Sequence, residues 1–525
     1  MAKRLKFICS LLSISIILTG SFSGCRNDRS EAADHIFVYD LSANPRTLDP
    51  QTAIDEHGGT VIANLFEGLL RMDSNGNITS GVAMEYQISD DLLVYTFYLK
   101  EDVYWADRNG FYEQCTAADF VFGFRRLFNP EVKSRNCEDY FAILNSRAIN
   151  EGEMPVKSLG VYADGDFKLV IELEYPDANL AVLLTAPPAF PCNERFYIQA
   201  AGRYGLTADA VPSNTGFYLK EWVYDPHWTD ENRIILRRRN RGDGSPLPPY
   251  SGYPLGVNLL MDRGDSLANF TSGKSDCIVV SGDGANNLIK RDFPYTGAET
   301  SVWGIGFSDS GAFSDRELRK VLAAATDRES IEMDLTGYRK TATLIPDSIK
   351  VGNEFFRDLA GSPAYTPQTS SKSIGTVTVP PVWIVPVTSE DDVIVDIVKA
   401  VIQQWQEQLS IFCKLEPLSS HEYAERLADG DYDIAAVKLT AGYNSPSAIL
   451  NRFKAANKHL KNALQESSPE LQAKHLLSAE NRVLQRAELV PLCFVTEYFF
   501  AAKKSEDLTY NPFTRTVIFR NAKMY

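Results

Sequence analysis

The sequence predicts an α/β protein, because stretches of period-two alternation keep alternating with amphipathic stretches of helical period along its whole length. The second half sharpens this, running strand, helix, strand, helix, strand in close succession. Size is the third observation. Of 525 residues, about 500 follow an export signal, enough for two or three domains.

Taken in order, Lys3, Arg4 and Lys6 give a positive start, and residues 7–18 form an apolar core too short to span a bilayer comfortably. Ser21-Phe22-Ser23-Gly24-Cys25 then resembles a bacterial lipobox, although Phe22 stands where leucine is usual. On that resemblance, 1–24 is a lipoprotein signal peptide, Cys25 is the lipidated first mature residue, and 25–34 is a polar tether.

Val61, Leu65 and Leu69 recur every four residues and predict a helix, and the alternating 95–99 predicts a strand. Thr116 is placed to cap a helix running to Phe128. Residues 376–387 are valine-rich with prolines, and Ser389 with Asp392 predicts the start of a helix carrying Ile394, Ile397, Val401 and Trp405 on one face. A strand at 411–415, a helix at 421–427 and a strand at 432–437 form a βαβ-like passage. Ser468-Pro469-Glu470 opens a further helix to about Arg486, and 361–373 reads as an irregular excursion.

Removing 1–24, with its three cations and no acids, takes the formal net charge from −15 to −18, which argues against nucleic acid as a partner. The basic run Arg237-Arg238-Arg239-Asn240-Arg241 is read as a solvated strand end. Beyond Cys9 and Cys25, six cysteines remain: 115, 137, 192, 277, 413 and 493. Fifteen pairings are open to six thiols. Alternation places Cys413 on an apolar face with Ile411 and Leu415, and it and Cys493 are expected to be buried free thiols. With no CxxC, no HExxH and six scattered histidines, the sequence calls for no metal and no cofactor.

Four blocks in the first quarter carry a family resemblance: Leu48-Asp49-Pro50, Asn64-Leu65-Phe66-Glu67-Gly68-Leu69, Trp105-Ala106-Asp107 and Thr116-Ala117-Ala118-Asp119-Phe120. Later segments extend it, namely Asn214-Thr215-Gly216-Phe217-Tyr218 with Glu221-Trp222, Ser272-Gly273-Lys274-Ser275-Asp276, 313–320 with 325–328, and Gly430-Asp431-Tyr432-Asp433-Ile434-Ala435. From about residue 36 to the end, the chain resembles the bacterial extracellular solute-binding proteins of family 5, the oligopeptide and dipeptide binders that feed ABC importers. The resemblance implies a two-lobed, periplasmic-binding-protein-like α/β fold of the large peptide-binder type (type II) with an inserted subdomain. Lobe I would comprise 33–80, 200–297 and 496–525, the insertion 81–199, and lobe II 298–495. It also implies a monomer, held at the membrane outside the cytoplasm by its lipid, that captures oligopeptides by hinge closure and hands them to a membrane permease.

A carrier of many peptides must grip what all share, so main-chain pairing of the β-augmentation kind is expected. On this sequence the two segments that supply it in the family fall at Ile54-Asp55-Glu56-His57 and Lys438-Leu439-Thr440-Ala441. Peptide binders of the family then carry an aspartate, before a Tyr-Asn-x-Pro-like stretch, that pairs with the ligand's α-ammonium group. Here Gly442 stands in its place ahead of Tyr443-Asn444-Ser445-Pro446, and Asp55 and Glu56 are the candidate replacements. The chain is also shorter than family members between 450 and 468.

Gly442 keeps other cargo open: a nickel complex, a sugar or a blocked peptide. From a different class, Gly264-Asp265-Ser266-Leu267 spells the nucleophile block of GDSL ester hydrolases, but no downstream histidine has aspartate three residues before it, so no enzyme and no catalytic residue is called.

Overall fold

The computed structural model describes residues 34–228, 231–241, 244–245, 247, 250–333, 336–365, 380–387 and 392–525. The export signal, Cys25 and Ser389 lie outside them, as do residues 366–373 of the excursion. Among the described residues, three sheets of four or more strands carry the fold. In the first, the order is Ile36–Asp40, Gly256–Leu260, Arg233–Arg238, Phe217–Val223, with one parallel pair and two antiparallel ones. An antiparallel sheet runs Ala83–Ile88, Val94–Leu99, Lys168–Glu172, Val161–Ala163.

The largest sheet has seven strands. Two 13-residue strands, Tyr295–Phe307 and Leu489–Ala501, lie side by side in it, and both run across the expected division between lobes at 297/298 and 495/496. Outside them come Cys277–Val280 and Tyr338–Lys340 on one side. On the other lies Ile434–Thr440, then Val382–Val387 and Lys414–Ser419, the last three mutually parallel.

Several predicted elements form for the expected reasons. Thr116 and Asp119 make a reciprocal capping box at the start of Ala117–Phe128. Ile394, Ile397, Val401 and Trp405 are all buried on one face of the helix Asp392–Leu409. Ser468 caps Pro469–Gln485 by accepting from Leu471 N–H.

Four expectations are corrected. The first helix is Glu56–Leu65 and excludes Leu69, because Phe66 is extended and ends it; Gly68 then passes so close to Phe190 that a Cβ would lie 2.6 Å from the ring. Leu69 is buried all the same, leading into the strand Leu70–Met72. The strand expected at 411–415 is Lys414–Ser419: Ser410 turns left-handed (φ 55°) and Ile411 N–H bonds back to Trp405 O at 3.3 Å, so the helix exit uses the intervening residues. Cys413 is consequently only half-buried, though none of the six described cysteines is in a disulfide and Cys493 is buried.

The basic run is not solvated throughout. Arg238 and Arg239 are buried, with Arg239 Nη1 donating to Tyr104 O at 2.7 Å and its guanidinium facing the Tyr250 ring, and Arg238 Nη1 donating to Tyr253 O at 2.8 Å. Carbonyls and an aromatic face replace water around these two cations.

The four signature blocks turn out to be staples. Asp49 forms a buried pair with Arg126 of the helix Ala117–Phe128 (2.5 and 3.0 Å), and Gln51 accepts from the same guanidinium. Asn64 donates to Val517 O and accepts from Phe519 N–H, tying the first helix to the C-terminal segment. Trp105 is fully buried against Phe66.

Candidate functional site

The site begins at the turn before Glu56–Leu65. Asp55 is the N-cap, extended in backbone, and its Oδ1 accepts from Gly58 N–H at 2.8 Å. Glu56 pairs with Arg515 at 2.9 Å, and Arg515 is also held by Glu497, which in turn accepts from the buried Tyr510 hydroxyl at 3.1 Å. Burial alone would lower the Arg515 guanidinium; the Glu497 carboxylate beside it outweighs that and holds it above its ordinary value. His57 Nδ1 is bonded to Ser42 Oγ at 2.8 Å, and Ile54 is exposed. Both acids offered as replacements for the missing aspartate are therefore already occupied, one by a helix start and one by an arginine.

This turn borders a polar cavity of about 390 Å³, whose far walls come from 265–267, 275–281 and Glu497, Tyr510 and Arg515. Ser266 of the GDSL block is here, but Asp265 explains the block: its carboxylate caps the helix Ser266–Thr271, accepting from Leu267 and Ala268 N–H.

The second segment ends the strand Ile434–Thr440. Lys438, Leu439 and Thr440 pair with Trp303, Val302 and Ser301, and Ala441 N–H donates to Thr300 O at 2.9 Å. On its other edge, pairing with Val382–Val387 ends at Ala435. Next along it, Ala436 O accepts from the Tyr423 hydroxyl at 2.5 Å, and past Ala436 no neighbouring strand lies on this edge among the described residues, which is the geometry that main-chain recognition of an extended ligand requires.

Gly442 is exposed, its φ is not positive, and a Cβ built on it would meet no atom within 4 Å. Tyr443 is half-buried, with burial first and Asp139 and Asp177 next pushing its hydroxyl well above the usual range. Asn444 is buried and fully used: Oδ1 accepts from Lys350 N–H at 2.9 Å and Nδ2 donates to Gly76 O at 3.0 Å. Lys350 Nζ completes the clamp on Asn75 O and Asn77 Oδ1, and Ser445 Oγ bonds Asn179 Oδ1 at 2.8 Å.

Among the described residues no hydrogen bond joins 54–57 to 438–444, and the two segments line different cavities: Asn444 borders one of about 310 Å³ that contains none of 54–57. Sequence reasoning missed Arg515, Glu497, Tyr510 and Lys350. No motif surrounds them, and their importance comes from a fold that brings residues more than 400 positions apart into contact, as with Glu56 and Arg515.

Parallel and antiparallel strands in one large sheet, two 13-residue strands at its centre, and a strand edge with no neighbouring strand past Ala436 among the described residues are features of a two-lobed solute-binding fold. Residues 77–459 match the family model of the bacterial extracellular solute-binding proteins, family 5 (middle part), and the chain belongs to that family. It is similar to the probable deoxycholate-binding periplasmic protein YgiS of Escherichia coli K12, 26% identical over 485 residues covering 87% of this chain and 86% of that one. It is also similar to the oligopeptide-binding protein OppA of Bacillus subtilis 168, 21% identical over 568 residues and 99% of each chain. In fold it matches Listeria monocytogenes OppA bound to peptide, with a TM-score of 0.69 at 22% identity over 94% of this chain and 99% of that one. The fold is thus the two-lobed α/β fold of the peptide-binding proteins.

Proposed function

We propose that this protein is the substrate-binding lipoprotein of an ABC importer, lipidated at Cys25, which captures oligopeptides by hinge closure and delivers them to a membrane permease as a monomer. The observation that carries the reading is the strand Ile434–Thr440, paired along one edge and, among the described residues, without a neighbouring strand past Ala436 on the other. An extended peptide adds to such an edge through groups every peptide has, and 54–57 faces it from the other lobe when the cleft shuts. The lobes are 33–80 with 200–297 and 496–525, and 298–495, with 81–199 inserted. Support for cargo of this kind also comes from relatives named as peptide binders. Small-angle scattering tests the closure: a mixed tetra- to hexapeptide pool is expected to reduce the radius of gyration, and an unchanged radius at saturating peptide would sink the reading.

Gly442 favours one alternative, a ligand without a free amine. A ligand ammonium group that binds without the acid forgoes a charge-assisted hydrogen bond of about 1.5–3 kcal/mol. A blocked peptide, or an amphiphile such as the bile acid for which one relative is named, avoids that cost.

A further inference from the structure

Away from the cleft, the helices Arg316–Ala324, Asn457–Leu464 and Pro469–Gln485 surround a cavity of about 1250 Å³. Six of its lining residues are Arg316, Lys320, Lys458, His459, Arg482 and Arg486, and among the described residues no carboxylate lines it. None of 54–57 or 438–444 borders it. In a chain of formal charge −15, so many basic groups facing one space without an acid is a costly arrangement.

The helix geometry explains how the charges converge. Arg316 and Lys320 are one turn apart, and Ser478, Asn481, Arg482 and Gln485 fall at i, i+3, i+4 and i+7 along one face, placing neutral donors among the cations. Lys320 and Arg486 pair with Glu317 (3.0 Å) and Glu488 (2.7 Å), both outside the lining. Arg316, Lys458 and Arg482 have no ion pair among the described residues, and Arg316 Nε is shut off from solvent without a hydrogen-bond partner. His459 reports the same field: burial first, then Lys458, His475 and Arg482, hold its ring below the usual imidazole range.

We propose that this cavity is a second ligand site, independent of the cleft, that takes a phosphate-bearing anion with two or more phosphoryl groups. Forked guanidinium groups on separate helices match the oxygens of neighbouring phosphoryls. The phosphoryls could come from a free polyphosphate or from anionic lipid headgroups, and the test separates the two.

Pyrophosphate is titrated into the full-length mature protein by calorimetry at near-physiological salt. Vesicles of phosphatidylglycerol or phosphatidylcholine are compared by flotation with protein lacking its lipid. A Kd below about 1 mM for pyrophosphate is expected, weakened by at least about tenfold in Arg316→Ala/Arg482→Ala and kept within a few-fold in Arg316→Lys/Arg482→Lys. The His459 ring should titrate at higher pH with pyrophosphate bound, and peptide affinity should be unchanged in both variants. Flotation with phosphatidylglycerol alone, lost in the alanine pair, would assign the phosphoryls to lipid. Absence of saturable binding to pyrophosphate and to phosphatidylglycerol, or binding that the alanine pair leaves intact, would overturn the proposal whatever the cleft binds.

Discussion

If the amine site falls at 442 as proposed, Gly442→Asp supplies the carboxylate that free-amine peptide binding calls for. The backbone there accepts it: φ is not positive, the built Cβ meets nothing within 4 Å, and the preceding Ala441 is anchored to Thr300 O at 2.9 Å. Folding stability should therefore change by less than about 0.5 kcal/mol, the range of ordinary surface substitutions. A carboxylate accepting from an ammonium group in a closed cleft contributes about 1.5–3 kcal/mol. At about 1.4 kcal/mol per decade, that is a gain of roughly 10- to 150-fold. Calorimetry with a tetrapeptide and its N-acetylated twin isolates the effect, because only the first carries the charge. The variant should tighten the free-amine peptide and leave the acetylated one alone. An equal gain for both, no gain, or a loss would refute the placement of the amine site at 442.

Asn444→Ala removes both halves of the clamp on Lys350 N–H and Gly76 O, and the two orphaned groups should lower the unfolding free energy by about 1–3 kcal/mol each, visible as a lower urea midpoint. Asp177 is buried and its carboxyl is pushed up to about 6, by burial first, against the Asn179 N–H that it accepts. An acid raised in this way favours the folded state below the unfolded value near 3.8 and loses that advantage as pH climbs through 6. Asp177→Asn should therefore equal the parent at pH 3.5 to 4 and exceed it at pH 8 by on the order of 1–3 kcal/mol in urea unfolding; equal midpoints at pH 8 would contradict it. Cys25→Ala should move the protein from the membrane fraction to the soluble extracytoplasmic fraction.

How much of this was legible in the chain depends on distance along it. Helices with local signals follow directly from the chain: Ala117–Phe128 from periodicity and its Thr116 cap, and Asp392–Leu409 from its apolar face. At Leu69 and in 411–415 the pattern looks continuous, but an extended Phe66 and a left-handed Ser410 interrupt it. Arg238 and Arg239 read as surface charge because main-chain carbonyls of Tyr253, Tyr104 and Ser213, and for Arg238 also Asp34 204 positions away, receive them, and none of these leaves a local mark in sequence. The blocks that disclose the family, Asp49 and Asn64 among them, are staples between distant segments, so they identify a scaffold and say little about cargo. At the candidate site, Asp55 and Glu56 could be named from sequence, whereas their occupation by Gly58 N–H and Arg515 needed the fold.

Peptide carriage is the central claim, and it is tested most directly by mass spectrometry of the small molecules released when the purified protein is denatured. Peptides of a few residues with varied side chains should be recovered in amounts approaching one per protein. Recovery of a bile acid, a sugar or a nickel complex in that proportion, with no peptides, would contradict the account.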